Sequence, residues 1–163
     1  MGVIAIICGS NSNQNFPLLK FILHLVAAIA YGNTVIIVPD IKSPFPAVDL
    51  YEIFDTSDMP GGVVNILTGD KHHLTKYLCE HQQLNSIWYM ADVVNEKLSD
   101  TEIDALRFIR YTSSFSLKQS WPITNILFDE SDMSVSRSYL NELKLHSIQS
   151  KYVNIPMGTI FAN

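Results

Sequence analysis

Four short apolar runs punctuate the first part of this chain: VIAIIC at 3–8, TVIIV at 34–38, VVNIL at 63–67 and SIWYM at 86–90. Continuous runs of this length, rich in β-branched residues, read as strands buried on both faces. A helical pattern follows each one. Pro17 suits the first turn of a helix that runs as PLLKFILHLVAAIAY and stops at Gly32-Asn33. Ser43-Pro44 opens a second helix that ends near Asp58, before the turn Met59-Pro60-Gly61-Gly62. A third helix is expected from about Lys71 to Gln83. A fourth is expected over 95–114, with Leu98, Ile103, Leu106 and Ile109 spaced for one face. Alternation of this kind builds a parallel sheet with crossover helices on its faces. The expected fold class is α/β, a doubly wound parallel sheet.

The helix at 17–31 is apolar nearly all round. Only Lys20 and His24, one turn apart, interrupt it, and the pattern predicts that they form its polar stripe. A helix this apolar expects cover on more than one side. Residues 116–128 suggest one or two extended segments, and 129–149 have helical composition. KYVNIPM at 151–157 alternates like a strand. No Gly-, Pro- or Ser-rich linker sets this tail apart. The expected organisation is therefore an alternating unit at 1–115 with a tail at 116–163 in the same domain.

The chain has 163 residues, enough for one domain with a full core. It is 47% hydrophobic, which offsets chain entropy and excludes a disordered polymer. Net charge is −5 with no cluster of Lys and Arg, which excludes nucleic acid and anionic membranes as natural partners. Two cysteines in unrelated contexts, Cys8 and Cys79, make no disulfide framework and fit a reducing compartment. The apolar start lacks the basic flank of a signal peptide. Ile6 stands where myristoylation wants Ser or Thr. The run from Leu18 to Tyr31 contains Lys20 and His24 and is too short to span a bilayer. A soluble, cytoplasmic protein is expected.

Candidate chemistry is sparse. His73 and His81 share a helix face two turns apart, too far for zinc, and read as surface histidines, as does His72. No metal site is expected. Cys79 lies two residues from His81, so the pair diverges on a helix and makes no nucleophile couple. Cys8 ends the first strand near a binding edge, but no basic residue stands close in sequence to lower its pKa. A buried small hydrophobe is the favoured reading. Asp100, Glu102 and Asp104 sit at a helix start, where carboxylates complement the dipole. Asp129, Glu130 and Asp132 form an acidic turn. No Walker loop or GxGxxG occurs. The polar loop GSNSNQN at 9–15 holds one glycine and no lysine.

The order of segments carries further. GVIAII, NFPLL, an apolar helix ending in GNTVIIVP, and PGGVVNILTGD together resemble the coenzyme-binding domain of aldehyde dehydrogenases. LNSIWYMAD at 84–92 is similar to that family's next strand, which normally reads Ile-x-Phe-Thr-Gly-Ser. More narrowly, AIAYGNTV (28–35), TGDKHHLT (68–75), IWY (87–89) and the closing KYVNIPMG resemble the second, C-terminal, non-catalytic domain of family 16 members. The strand at 151–157 is also similar to a strand of the family's oligomerisation element. The resemblance thus implies a Rossmann-like coenzyme domain joined to an oligomerisation-type tail.

It also implies what is missing. The Gly-Gln-x-Cys segment of the catalytic domain is absent, and so is the Leu-Glu-Leu-Gly-Gly general-base motif, so no catalytic residue carries over. Asn15 matches the oxyanion asparagine before Phe-Pro, after a longer loop than usual. Val38 stands in place of the ribose-binding lysine, followed by Pro39 and by Asp40 one place early. Met90, Ala91 and Asp92 replace Thr-Gly-Ser. Ala91 adds a methyl group where coenzyme phosphates approach a helix start. Asp92 adds a negative charge facing a pyrophosphate. Loss of the ribose contacts alone removes about 2–4 kcal/mol, about 30- to 1,000-fold in affinity.

Asn15, Val38, Pro39, Asp40, Ala91 and Asp92 are thus expected to form a vestigial site that binds no cofactor. The expected function is a non-catalytic aldehyde-dehydrogenase-like domain with a structural, oligomerisation or protein-interaction role. A homo-oligomer or a partner protein would pair through strand 151–157. The alternative is a fragment or domain of an NAD-dependent aldehyde dehydrogenase whose catalytic domain lies elsewhere, with NAD as cofactor. An unrelated doubly wound small-molecule binder is a third reading, supported only by the polar loop 9–15.

Overall fold

The computed structural model describes residues 2–9, 17–42, 44–94, 97–124, 128–129 and 134–149. The expected strand at 151–157 and Asn15 lie outside them. Strands β1 (Val3–Ile7), β2 (Thr34–Val38), β3 (Val64–Ile66) and β4 (Ser86–Met90) fall on the four apolar runs. Helices α1 (Pro17–Ala30), α2 (Phe45–Thr56) and α3 (Lys71–Glu80) connect them. A two-residue pair, β5 (Val93–Val94) with β6 (Lys97–Leu98), then precedes α4 (Asp100–Ser116). The fourth helix therefore starts later than its apolar spacing predicts. Ser99 fixes the start: its Oγ accepts the Glu102 N–H at 3.3 Å. Beyond α4 come β7 (Gln119–Ile123), the short antiparallel pair β8 (Phe128–Asp129) and β9 (Ser134–Val135), and α5 (Arg137–Ser147).

The main sheet has five parallel strands in the order β3-β2-β1-β4-β7. Register runs Ile4 beside Val35 and Ser86, Val35 beside Val64, and Trp88 beside Trp121. One face carries Ile4, Ile6, Ile37 and Trp88 against Phe21 and Leu25 of α1, Ala47 of α2, and Tyr139 and Leu143 of α5. The other carries Ala5, Ile7, Ile87 and Tyr89 against Leu78 of α3 and Ile109 of α4. Burial of each large apolar side chain contributes about 1.5–3 kcal/mol. Both faces are thus covered, as a parallel sheet requires. Crossovers leave β1 and β4 toward opposite faces, so the strand order reverses between them.

Helix α1 corrects the polar-stripe expectation. Lys20 and His24 point inward, at 3% and 0% exposure, while Val26 on the outer side is 56% exposed. For His24 the inward position is satisfied by its own helix and by α5. His24 Nδ1 lies 2.6 Å from the Lys20 carbonyl oxygen, which can only accept, so Nδ1 carries the proton. Nε2 then accepts from the Tyr139 hydroxyl at 2.7 Å. Trp88 and Trp121 close around the ring, 6.2 and 6.3 Å from it. Asn33, just past the Gly32 helix stop, ties the same helices at their other end. Its Nδ2 donates to the Ala28 and Ser147 carbonyls, each at 2.9 Å, and its Oδ1 accepts the Gly2 N–H at 3.1 Å. Gly32 has φ +76°, the left-handed conformation that ends a helix without a Cβ penalty.

Burial lowers the His24 pKa to about 4. The unfolded chain, with a histidine near 6.5, therefore binds the proton first as pH falls. The His24 contribution is complete above pH 6.5 and declines down to pH 4, by about 3 kcal/mol. Denaturant titrations across that window should show a steeper loss for the natural chain than for His24→Gln. Parallel profiles would remove the assignment.

Candidate functional site at the carboxyl edge of the sheet

In doubly wound sheets a crevice opens at the carboxyl ends of the strands, where strand order reverses. Here that point lies between the ends of β1 and β4, at Cys8-Gly9 and Ala91-Asp92. Side chains of the chain itself reach into it. Lys71, the first residue of α3, reaches across with its Nζ 3.0 Å from Glu102 Oε1 and 3.3 Å from Asp92 Oδ2. The same ammonium lies 4.5 Å from the centre of the Tyr89 ring. Tyr89 donates its hydroxyl to Glu102 Oε2 at 2.9 Å. His72 Nε2 stands 3.5 Å from Glu102 Oε1. Glu102 is 2% exposed, in the first turn of α4.

The backbone at Gly9 seals the cluster. A Cβ there would run into the Met90 carbonyl oxygen and Asp92 Oδ1, and would stand 3.1 Å from Lys71 Nζ. Asp70 caps α3 by accepting the His73 N–H at 2.7 Å, which fixes the direction in which Lys71 leaves the helix. Burial, and then the Glu102 carboxylate, push the Tyr89 hydroxyl pKa far above its ordinary value, so it stays a donor.

The predicted site residues gather at this same edge in two groups. Val38 is fully buried at the end of β2, and its carbonyl accepts the Cys8 N–H at 2.9 Å. Pro39 and Asp40 follow, and Asp40 Oδ1 accepts the Lys42 N–H at 3.0 Å, closing a local turn. Cys8, Phe21, Pro39, Asp40 and Ala47 help to line a cleft of only about 10 Å³, room for about one water. Ala91 is fully buried and donates its N–H to the Ile123 carbonyl at 2.9 Å, within the sheet. Asp92 belongs to the Lys71 cluster. Lys20, also inside, has its pKa lowered by burial, with Asp40 opposing the shift.

Three residues of the cluster, Lys71, Tyr89 and Glu102, escaped the sequence reading. Glu102 is more than a dipole partner: it is the buried acceptor for two side chains. A lysine opening one helix and a glutamate opening the next was the available signal.

The two thiols, both buried, are held in the neutral form at neutral pH. Burial and Asp40 push the Cys8 thiol up to about 12, and burial pushes Cys79 up to about 11. Among the described residues, no three His, Cys, Asp or Glu side chains gather closely enough to hold a metal ion. Nor does any described helix have the length and apolarity to cross a membrane.

A family model, described as the aldehyde dehydrogenase family, matches residues 1–93. The chain belongs to the aldehyde dehydrogenase family. It is 38% identical over 87 residues to the NADP/NAD-dependent aldehyde dehydrogenase PuuC of Escherichia coli K12, covering 53% of this chain and 17% of that protein. It is 32% identical over 92 residues to human retinaldehyde dehydrogenase 3, covering 56% of this chain and 18% of the relative. Among solved structures, PnpE from Pseudomonas sp. WBC-3 superposes with a TM-score of 0.60 at 27% identity, over 74% of this chain and 22% of PnpE. An aldehyde dehydrogenase from Bartonella henselae gives 0.59 at 26%, with the same coverage of 74% and 22%. This aldehyde dehydrogenase family member therefore spans less than a fifth of the curated relatives it matches.

The buried pair makes a sharp stability prediction. Lys71→Met leaves the buried Glu102 carboxyl without its ammonium, which should cost about 3–5 kcal/mol. The double variant Lys71→Met/Glu102→Leu should recover most of it. Denaturant midpoints of the natural chain, the two single variants and the double variant measure the coupling. Additive losses would show that the pair is not energetically linked.

Proposed function

We propose that this chain is a non-catalytic aldehyde-dehydrogenase-like domain with a structural, oligomerisation or protein-interaction role, of the kind found as the second domain of family 16 members. The observation that carries the reading is the occupied switch point. Lys71, held by Glu102 and Asp92 over Tyr89, occupies the crevice in which this topology places ligands. On this reading Asn15, Val38, Pro39, Asp40, Ala91 and Asp92 are the remains of a coenzyme site. Val38 offers a ribose no hydrogen bond, and the Asp92 carboxylate opposes a pyrophosphate. The domain then acts in the cytoplasm without a cofactor, and its strand at 151–157 pairs with another chain.

A second reading rests on length. The chain covers 22% of PnpE, which has also been solved in complex with nicotinamide adenine dinucleotide. A fragment or domain of an NAD-dependent aldehyde dehydrogenase, with its catalytic domain elsewhere, fits that coverage.

Thermal unfolding with NAD separates the two. A ligand at a hundred times its Kd stabilises by about 2.7 kcal/mol, or about 5–10 °C in a domain of this size. The first reading expects a midpoint that moves by less than about 1 °C in millimolar NAD. A rise of several degrees would establish the second.

A further inference from the structure

The two carboxylates on Lys71 are not equivalent. The Glu102 side chain is 2% exposed and forms the floor of the cluster. It is tied in from two sides, by the Lys71 ammonium of α3 and by the Tyr89 hydroxyl of β4. The Asp92 side chain is 28% exposed and stands at the mouth, two residues past the end of β4 and directly before β5. It also meets the ammonium at the longer distance, 3.3 Å against 3.0 Å. Glu102 is therefore the structural counter-ion of Lys71, and Asp92 is the exchangeable one.

The charge count is uneven. One ammonium faces two carboxylates, and a single carboxylate would balance it. His72, at the rim, adds a positive charge only when protonated. The second carboxylate thus takes the place that an anionic ligand takes on a lysine in a crevice of this kind. The backbone at the mouth points the same way. A Cβ on Gly9, just past β1, would collide with the Met90 carbonyl oxygen and with Asp92 Oδ1. The missing Cβ is what lets the Asp92 carboxylate lie against this backbone, next to Lys71. Backbone without a side chain, beside an ammonium, is also an arrangement that accepts a compact oxyanion.

We infer that Asp92 is an intramolecular competitor: its carboxylate holds the position on Lys71 that a phosphate-type oxyanion would take, and an anion site persists behind it. The inference rests on the reading that the natural crevice takes no coenzyme. It adds that one side chain at the mouth keeps anions out.

Calorimetric titration of the full chain with inorganic pyrophosphate tests it, at low ionic strength because salt screens such contacts. A like charge about 4 Å away opposes an anion by about fivefold in affinity at the dielectric of water, and by more at the lower dielectric of a crevice. Asp92→Ala, and Asp92→Asn of nearly the same size as the natural residue, should each bind pyrophosphate at least about fivefold more tightly than the natural chain. The gain should vanish in Asp92→Ala/Lys71→Met/Glu102→Leu, where an apolar pair replaces the ion pair. NAD should bind Asp92→Ala no more tightly than pyrophosphate does, since Val38 gives a ribose no hydrogen bond. Equal affinities in the natural chain and both Asp92 variants would overturn the proposal, as would no detectable binding by either variant in millimolar pyrophosphate. So would a gain that survives the loss of Lys71, or a gain for NAD alone, which assigns the effect to a nucleotide site. The reading beneath it fails separately, by stabilisation of the natural chain in NAD.

Discussion

A parallel sheet has no face to spare for water, and the rest of this structure follows from that constraint. Both faces need a helical layer, and each layer is held by a different device. On the α3–α4 side it is a charge cluster: Lys71 begins one helix, Glu102 sits in the first turn of the next, and their contact draws the helices together above Tyr89. On the α1–α5 side it is a pair of neutral polar clamps, His24 with Tyr139 and Asn33 with Ser147. The clamps fix how α5, the last described helix, returns to a layer that α1 and α2 began.

The charge cluster and the coenzyme question are one problem in electrostatics. A buried ammonium is stable only when it is paired and its partners are hydrogen-bonded. In a ligand-binding crevice the ligand supplies part of that pairing. Here Glu102 and Asp92 supply it from within the chain, and Gly9, just past β1, brings the backbone close against Met90, Asp92 and Lys71. An incoming pyrophosphate would have to displace a carboxylate that is already on Lys71, while meeting the other at short range. Two like charges about 4 Å apart repel by about 1 kcal/mol in water and several times that at lower effective dielectric. The family fold is thus compatible with a crevice that stabilises itself.

The strands and the family were legible in the sequence because both are written in contiguous residues. VIAIIC, TVIIV and SIWYM need no partner to be read as buried strands, and GNTV or TGD is recognised in place. Failures came where the meaning of a residue depends on another element. Lys20 and His24 satisfy every rule for a solvent stripe, yet both lie inside, His24 against Tyr139, 115 residues away. Glu102 reads as a helix-dipole carboxylate until Lys71, 31 residues earlier, arrives beside it. The start of α4 shifted for a local reason that apolar spacing does not register: the Ser99 cap outweighed the periodicity of Leu98.

The reversal of α1 has one further consequence. A helix with two polar residues normally spends them on water and keeps its apolar side for the core. When both polar residues turn into the core, the outer side is left with Leu, Val, Ile and Ala alone. The inward histidine and the exposed Val26 are therefore one event: the contacts that pin α5 to α1 also create the apolar ridge around Val26. A chain could relieve that exposure by placing a charge on the ridge, at Val26 or Ala30, without disturbing the core beneath. Instead the charges stand on the flanking helices, acid on α2 and base on α5, and leave the ridge uncharged.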